Sequence, residues 1–292
     1  MPWQVTIIFF VLLSSTRAIQ NRRIGLFKKD LSLYALVASF TCILIVGISS
    51  ALMNWNKIDH SKALDAWPYL LIGGILFASL NVIIFKLYRY IPASIMTFTT
   101  LLNTMSVLLF ATIVGGESLS TKQVYGAITL FMSVIIVGLF TKSSNKTKKN
   151  LTLGLSIALV AALMFGPAIM NEKYLINRIG FNTYVLYGWG FQTLIAYLVA
   201  FVLKNRKKAK EKLSRKVHVS VWTGGALLGM SGFAYVSSLN KSGSASTVAL
   251  SGTAVIGVTV FLAFFVLKEK EHLWPKIVGL LLSAIGLSLL LS

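Results

Sequence analysis

The sequence predicts an all-α polytopic membrane protein with ten transmembrane helices in two inverted five-helix repeats. Three observations predict it. Of the 292 residues, 56% are hydrophobic and only 12% charged, about half the roughly 25% usual in soluble proteins and too little to cover a water-facing surface. The apolar residues gather into runs close to the ~20 residues that cross a bilayer core. The chain also matches itself at an offset of 152 residues.

The ten runs are Trp3–Ile19, Leu31–Met53, Pro68–Leu87, Pro92–Gly115, Lys122–Phe140, Leu151–Met170, Asn182–Leu203, Val219–Leu239, Ser244–Val266 and Pro275–Ser292. Pro68, Pro92 and Pro275 stand at helix starts, where the missing N–H costs nothing. Pro167 instead follows Gly166 inside the sixth run, where it removes a backbone bond and bends the helix, a candidate hinge. The first run has the length of a signal peptide but no basic residue ahead of Arg17, so it is read as a retained helix. Cys42 is the one cysteine and lies in an apolar run, and His60, His218 and His272 are scattered. Neither a disulfide nor a metal site follows from them.

Charge orients the chain. The net charge of +20 would suit nucleic-acid binding in a soluble protein, but here the basic residues occupy short loops. Arg17, Arg22, Arg23, Lys28 and Lys29 against Asp30 give the first connection +4. Lys142, Lys146, Lys148 and Lys149 give the fifth +4, and eight basic residues between Lys204 and Lys216 against Glu211 give the seventh +7. The alternate connections are nearly neutral. The positive-inside rule therefore places the odd connections in the cytoplasm and both termini outside. The 204–216 run also has the character of a site for acidic lipid or a protein partner. The sequons at Asn145 and Asn150 fall on the inner side, so glycosylation is not expected.

At the 152-residue offset Gly73 meets Gly225, Ser79 meets Ser231 and Leu87 meets Leu239. Ala93-Ser94 meets Ala245-Ser246, Thr99 meets Ser251 and Glu117 meets Glu269, and one further residue aligns Gly126 with Gly279. Two copies of an odd number of spans enter the membrane in opposite senses, the arrangement of many secondary transporters. The copies are residues 1–141 and 151–292, joined by a basic linker at 142–150. Ala93-Ser94, the helix after it, Glu117-Ser118-Leu119-Ser120, Gln123 and Gly126 resemble the closing half of an EamA-type domain of the drug/metabolite transporter superfamily. Tyr235, Leu239, Ala245-Ser246, Lys268-Glu269, Gly279 and Gly286 repeat it. The resemblance covers nearly the whole chain and implies a permease of two tandem EamA-like domains. The family often has a proline midway along the fourth and ninth helices, where this chain has Thr104 and Ile256.

The fourth run carries the candidate binding face. Thr97, Thr99, Thr100, Asn103, Thr104 and Ser106 share one arc of a helix, with Ile95, Phe98, Leu101, Leu102 and Met105 opposite. Hydroxyls and amides find no partners in lipid, so the arc must face protein or water. It forms either the wall of a cavity or a seam of helix–helix hydrogen bonds. The candidate substrate-binding residues are Asn81, Thr99, Thr100, Asn103, Trp189, Gln192, Tyr235, Ser251 and Thr253, with Gly166 and Pro167 as the hinge. Gly225 and Gly229, a G-x-x-x-G pair, point to close helix packing. No Asp or Glu is placed in the middle of a run, and Glu117, Glu172, Glu269 and Glu271 are placed at ends or in loops. The expected pocket is therefore neutral, which disfavours a proton-driven exporter of lipophilic cations. Lys86, Arg89 and Lys173 are read as snorkelling to the interface rather than drawing in an anion.

The chain has no G-x-x-x-x-G-K-[ST] loop and no H-E-x-x-H, so neither an ATP-driven nor a zinc-hydrolase reading has its residues. No enzyme activity and no cofactor are expected. The expected function is secondary active transport, as an exporter, of a small polar or zwitterionic metabolite such as an amino acid across the cell (plasma) membrane by alternating access. The expected partners are that small molecule and membrane lipids, with no nucleic acid. Spans five and ten end the repeats and could support a homodimer. A lipid-linked sugar flippase and a non-transporting membrane receptor or assembly factor remain the alternatives.

Overall fold

A computed structural model describes residues 2–27, 30–91, 93–118, 120–140, 145–203, 214–268 and 273–291. These residues are almost entirely helical, and no strand occurs among them. The helices are α1 (Trp3–Gly25), α2 (Ser32–Met53), α3 (His60–Asp65), α4 (Trp67–Tyr90), α5 (Ala93–Ile113), α6 (Thr121–Phe140), α7 (Asn145–Ile179), α8 (Phe181–Leu203), α9 (Arg215–Ser242), α10 (Ala245–Gly252), α11 (Val255–Val266) and α12 (Leu273–Leu291). Six stretches are long and apolar enough to cross a membrane: Ser32–Met53, Trp67–Tyr88, Ser156–Ile179, Phe181–Leu203, Arg215–Ser242 and Ala245–Val266. Shorter apolar stretches lie in α5, α6 and α12. This is a helical, multi-pass membrane protein.

Helix ends follow local chemistry. Pro68 lies in the first turn of α4, where its missing donor is no loss. Gly180 alone joins α7 to α8, and Gly243 closes α9; their φ values of 84° and 67° are left-handed, a conformation glycine adopts without a Cβ penalty. The Ser244 hydroxyl accepts the Thr247 N–H at 3.1 Å and caps α10.

Three expectations about the elements change. The first run extends beyond Ile19 to Gly25, so Arg17, Arg22 and Arg23 belong to α1 rather than to a loop. With those charges α1 is not one of the six apolar spans. The ninth run is interrupted at Thr253-Ala254. There the Thr253 N–H and hydroxyl both donate to the Leu250 carbonyl, at 3.0 and 2.6 Å, which tightens the turn and diverts the straight helical ladder. The sixth run begins at Asn145 and ends at Ile179, so residues 145–150 of the expected linker are helical. Pro167 sits inside this one continuous helix. Pro92, residues 141–144, the 204–213 run, Glu269, Glu271 and His272 lie outside the described residues.

The helices pack in reciprocal pairs. α1 and α2 lie on α9, α4 lies on α7 and α8, α5 lies on α7, α2 lies on α8, and α6 lies on α12. Glycines allow the closest approaches. A Cβ at Gly225 would lie 2.8 Å from the Ala38 carbonyl oxygen, and one at Gly229 would lie 3.0 Å from that of Cys42. The G-x-x-x-G pair is thus the seam between α9 and α2. Gly225→Ala forces backbone apart there and is expected to cost about 1–3 kcal/mol. A lowered thermal midpoint of the purified protein in detergent is the check. An unchanged midpoint would mean the seam is not tight.

Candidate functional site

Between these helices lies a cavity of about 260 Å³, bordered by α1, α2, α4, α5, α7, α8, α9 and the α10–α11 break. Eight of the nine residues expected to bind substrate border it: Asn81, Thr99, Thr100, Asn103, Trp189, Gln192, Tyr235 and Thr253. Ser251 does not. Residues two apart on a helix lie about 200° around its axis, so Ser251 and Thr253 do not share a face, and it is Thr253, at the turn between α10 and α11, that borders the cavity.

The hydroxyls on the fourth run are largely occupied. Thr99 donates to the Met96 carbonyl at 2.6 Å, and Thr104 to the carbonyls of Thr100 and Ala249 at 3.3 and 3.4 Å. Thr104 therefore serves as helix–helix glue, and Ser106 likewise, its Oγ accepting the Gly166 N–H at 3.2 Å. Asn103 differs: it borders the cavity and its amide forms no hydrogen bond among the described residues. Both arcs of α5 are buried, with Phe98 and Leu101 at 1% and 0% exposure, which makes α5 a central helix. A Cβ at Gly166 would collide with Ser106 and Phe110, so Gly166 lets α7 lie against α5 just before Pro167.

The aromatic part of the wall is Phe10 against Tyr235, ring centroids 5.0 Å apart, and Trp189 against Phe233 at 6.3 Å. Trp189 is 3% exposed and both packs and borders the cavity. Tyr235 is buried, borders the cavity, and its hydroxyl has no hydrogen-bond partner among the described residues.

The expectation of a neutral cavity is overturned. Glu172 is not at a helix end facing water: it is 4% exposed, inside the Ser156–Ile179 span, and borders the cavity. Tyr184 donates to its carboxylate at 2.5 Å, and Gln192 donates to the Tyr184 hydroxyl at 3.1 Å. The three form a chain along α7 and α8. The Tyr184 ring lies over Gly188, where a Cβ would strike it. Arg17 also borders the cavity, from α1, and its Nη2 donates to Asn81 Oδ1 at 3.0 Å. Asn81 is fixed by donating to the Phe77 carbonyl at 2.9 Å.

Two basic residues read as interfacial separate in the structure. Lys86 is exposed near the end of α4. Lys173 instead pairs with Glu117 at 2.7 Å. Glu117, in the α5–α6 connection, also accepts the Ser244 hydroxyl at 3.1 Å and the backbone N–H groups of Ala245 and Ser246 at 3.1 and 3.4 Å. One carboxylate thus ties α7 to the N-terminus of α10. Burial alone would raise its pKa, but the Lys173 ammonium and the α10 donors outweigh burial and hold it down at about 2. No cluster of His, Cys, Asp or Glu suited to a metal ion occurs among the described residues.

No family model matches the sequence, and no curated protein matches it. The fold is similar to that of a solved structure described only as "Crystal structure of protein", with a TM-score of 0.71 over 98% of this chain and 95% of that chain at 16% identity. That likeness is one of architecture: the chain shares its helical fold with a known protein while its side chains are its own.

Proposed function

We propose that the chain is a secondary transporter of the EamA type, built of two inverted five-helix repeats, that moves a small polar or zwitterionic metabolite such as an amino acid across the cell membrane by alternating access. The observation that carries this reading is the cavity itself. Helices from both halves enclose it, and the unbonded Asn103 amide, the unpartnered Tyr235 hydroxyl, Arg17 and Glu172 line it. Polar groups without partners are costly at membrane depth and mark a path for solute.

Contacts between the halves support the repeat. At an offset of 153 residues the pair Ser133–Ser283, 3.0 Å apart, exchanges with the pair Leu130–Gly286, also in contact. Phe40 and Thr193, joined at 2.9 Å, exchange with each other. Gly225 on the Ala38 carbonyl has its counterpart in Gly74, next to Gly73, on the Phe191 carbonyl. A two-fold relation that exchanges α2 with α8 and α6 with α12 accounts for the first two, and one that also exchanges α4 with α9 accounts for the third to within a residue. In this reading Gly166-Pro167 is the hinge, and the cavity opens to either face as the repeats rock.

Vesicles containing the purified protein should take up or release labelled metabolites. In Asn103→Leu, transport is expected to fall by roughly tenfold, the worth of one or two hydrogen bonds to substrate, while the protein remains folded in the membrane. Full activity in that variant would remove Asn103 from the site, and absence of transport by the wild type across amino acids, sugars, nucleosides and polyamines would remove the reading.

A further inference from the structure

We propose that Arg17 is the residue that recognises an oxyanion, carboxylate or phosphate, on the transported molecule. This rests on the transport reading and narrows it to metabolites that carry such a group.

The argument begins with what Arg17 lacks. A guanidinium has five N–H donors and no accessible neutral form. At the cavity wall Arg17 commits Nη2 to the neutral amide oxygen of Asn81, and its buried Nε has no partner. It forms no ion pair among the described residues. Glu172 does not neutralise it. Arg17 is anchored at Asn81 of α4, whereas Asn171, beside Glu172, lies against Gly73, eight residues earlier on α4. At 1.5 Å per residue that is about 12 Å along the helix. The cavity therefore has a cationic end and an anionic end, neither cancelled by the protein.

The surroundings of Arg17 are built rather than accidental. Asn81 is held by its own helix carbonyl, which aims its oxygen at the guanidinium. One turn further along α1, on the same face, Asn21 also borders the cavity; it is 3% exposed, and its unpartnered Oδ1, an acceptor, is left for an N–H or O–H donor on the solute beside the oxyanion. An oriented guanidinium with an edge unoccupied takes a planar or tetrahedral oxyanion through paired N–H···O bonds. Tyr235 and Glu172 are left for the uncharged or cationic remainder of the solute.

Matched pairs test this without the natural substrate being known. Purified wild-type protein in phosphatidylcholine nanodiscs is screened by thermal shift against leucine and leucinamide, lactate and lactamide, glucose 6-phosphate and glucose, and 4-methylpentanoate and 4-methylpentanamide. The member with the oxyanion is expected to bind at least tenfold more tightly in the pair the cavity accepts. Arg17→Gln should erase that preference, and Arg17→Lys should keep part of it. Equal binding of both members of a pair by the wild type, with and without the acid group, would overturn the proposal and leave the transport reading standing. Binding of no pair would remove both. A further arm adds phosphatidylglycerol to the nanodiscs: an Arg17-dependent shift from that lipid, with none from the free acids, would make the anion a headgroup and overturn the proposal. The wild-type comparison decides the matter even if the Gln variant fails to fold.

Discussion

Glu172→Gln is expected to reduce transport by at least about tenfold while leaving the purified protein as thermally stable as the wild type, or more so. The substitution preserves shape and keeps an acceptor for the Tyr184 hydroxyl, now 2.5 Å away, but deletes the charge. Glu172 is buried, borders the cavity, and has no cationic partner among the described residues, because its neighbour Lys173 is held by Glu117. Burying such a carboxylate opposes folding, and replacing it by a neutral group tends to be neutral or stabilising. Unpaired carboxylates at membrane depth are rare and characteristic of solute and ion paths, which is the role the transport proposal gives Glu172. A hydrogen bond to a charged group is worth about 1.5–3 kcal/mol, which sets the scale of the expected loss. Initial rates in vesicles and a melting curve of the same preparation are the paired measurements. A variant that melts much lower and transports normally per folded molecule would reverse the assignment and make Glu172 a structural residue of the Glu172–Tyr184–Gln192 chain.

The membrane class and most of the cavity wall were legible in the sequence because both depend on period and composition. The polar arc of the fourth run put Thr99, Thr100, Asn103 and Thr104 on one face, and the structure brings that face to the cavity. What the arc could not tell is which hydroxyls are free. Thr99 and Thr253 turn back to carbonyls of their own helices, a choice made by rotamer rather than by sequence. The two charges were misplaced for one shared reason: a basic or acidic residue near the end of an apolar run reads as loop. Arg17 and Asn21 nonetheless continue a spacing set by Phe10 and Ser14, and all four border the cavity from one face of α1. Extending the first helix by that period past Ile19 would have placed them. Glu172 lies five residues beyond Pro167, and the continuation of α7 past the proline to Ile179 brings it inside. Ser251 drops out because it stands two residues, about 200° of helix, from Thr253, and the two cannot share a face.

Glu117→Gln is expected to destabilise the protein by about 1–2 kcal/mol, the lower part of the range for charged hydrogen bonds because the pair is partly exposed. Acid should weaken the wild type in a way the variant does not share. The Lys173 side chain and Glu117 are 16% and 19% exposed, and the carboxylate sits at the positive end of α10, where negative charge is favoured. Its folded pKa of about 2 lies below the ordinary 4.5. The unfolded chain therefore takes up a proton first as the pH falls. Stability from this group is complete above about pH 4.5 and is lost progressively down to about pH 2. Asp59, which caps α3, is also held at about 2 by the Lys62 N–H and contributes to the same window. The informative quantity is thus the difference between wild type and Glu117→Gln, which should shrink as the pH is lowered from 5 to 2. A constant difference across that range would mean that Glu117 acts by shape alone and that its charge does not hold α7 to the start of α10. A shrinking one identifies an ionic tie from the α5–α6 connection to α7 and to the start of α10.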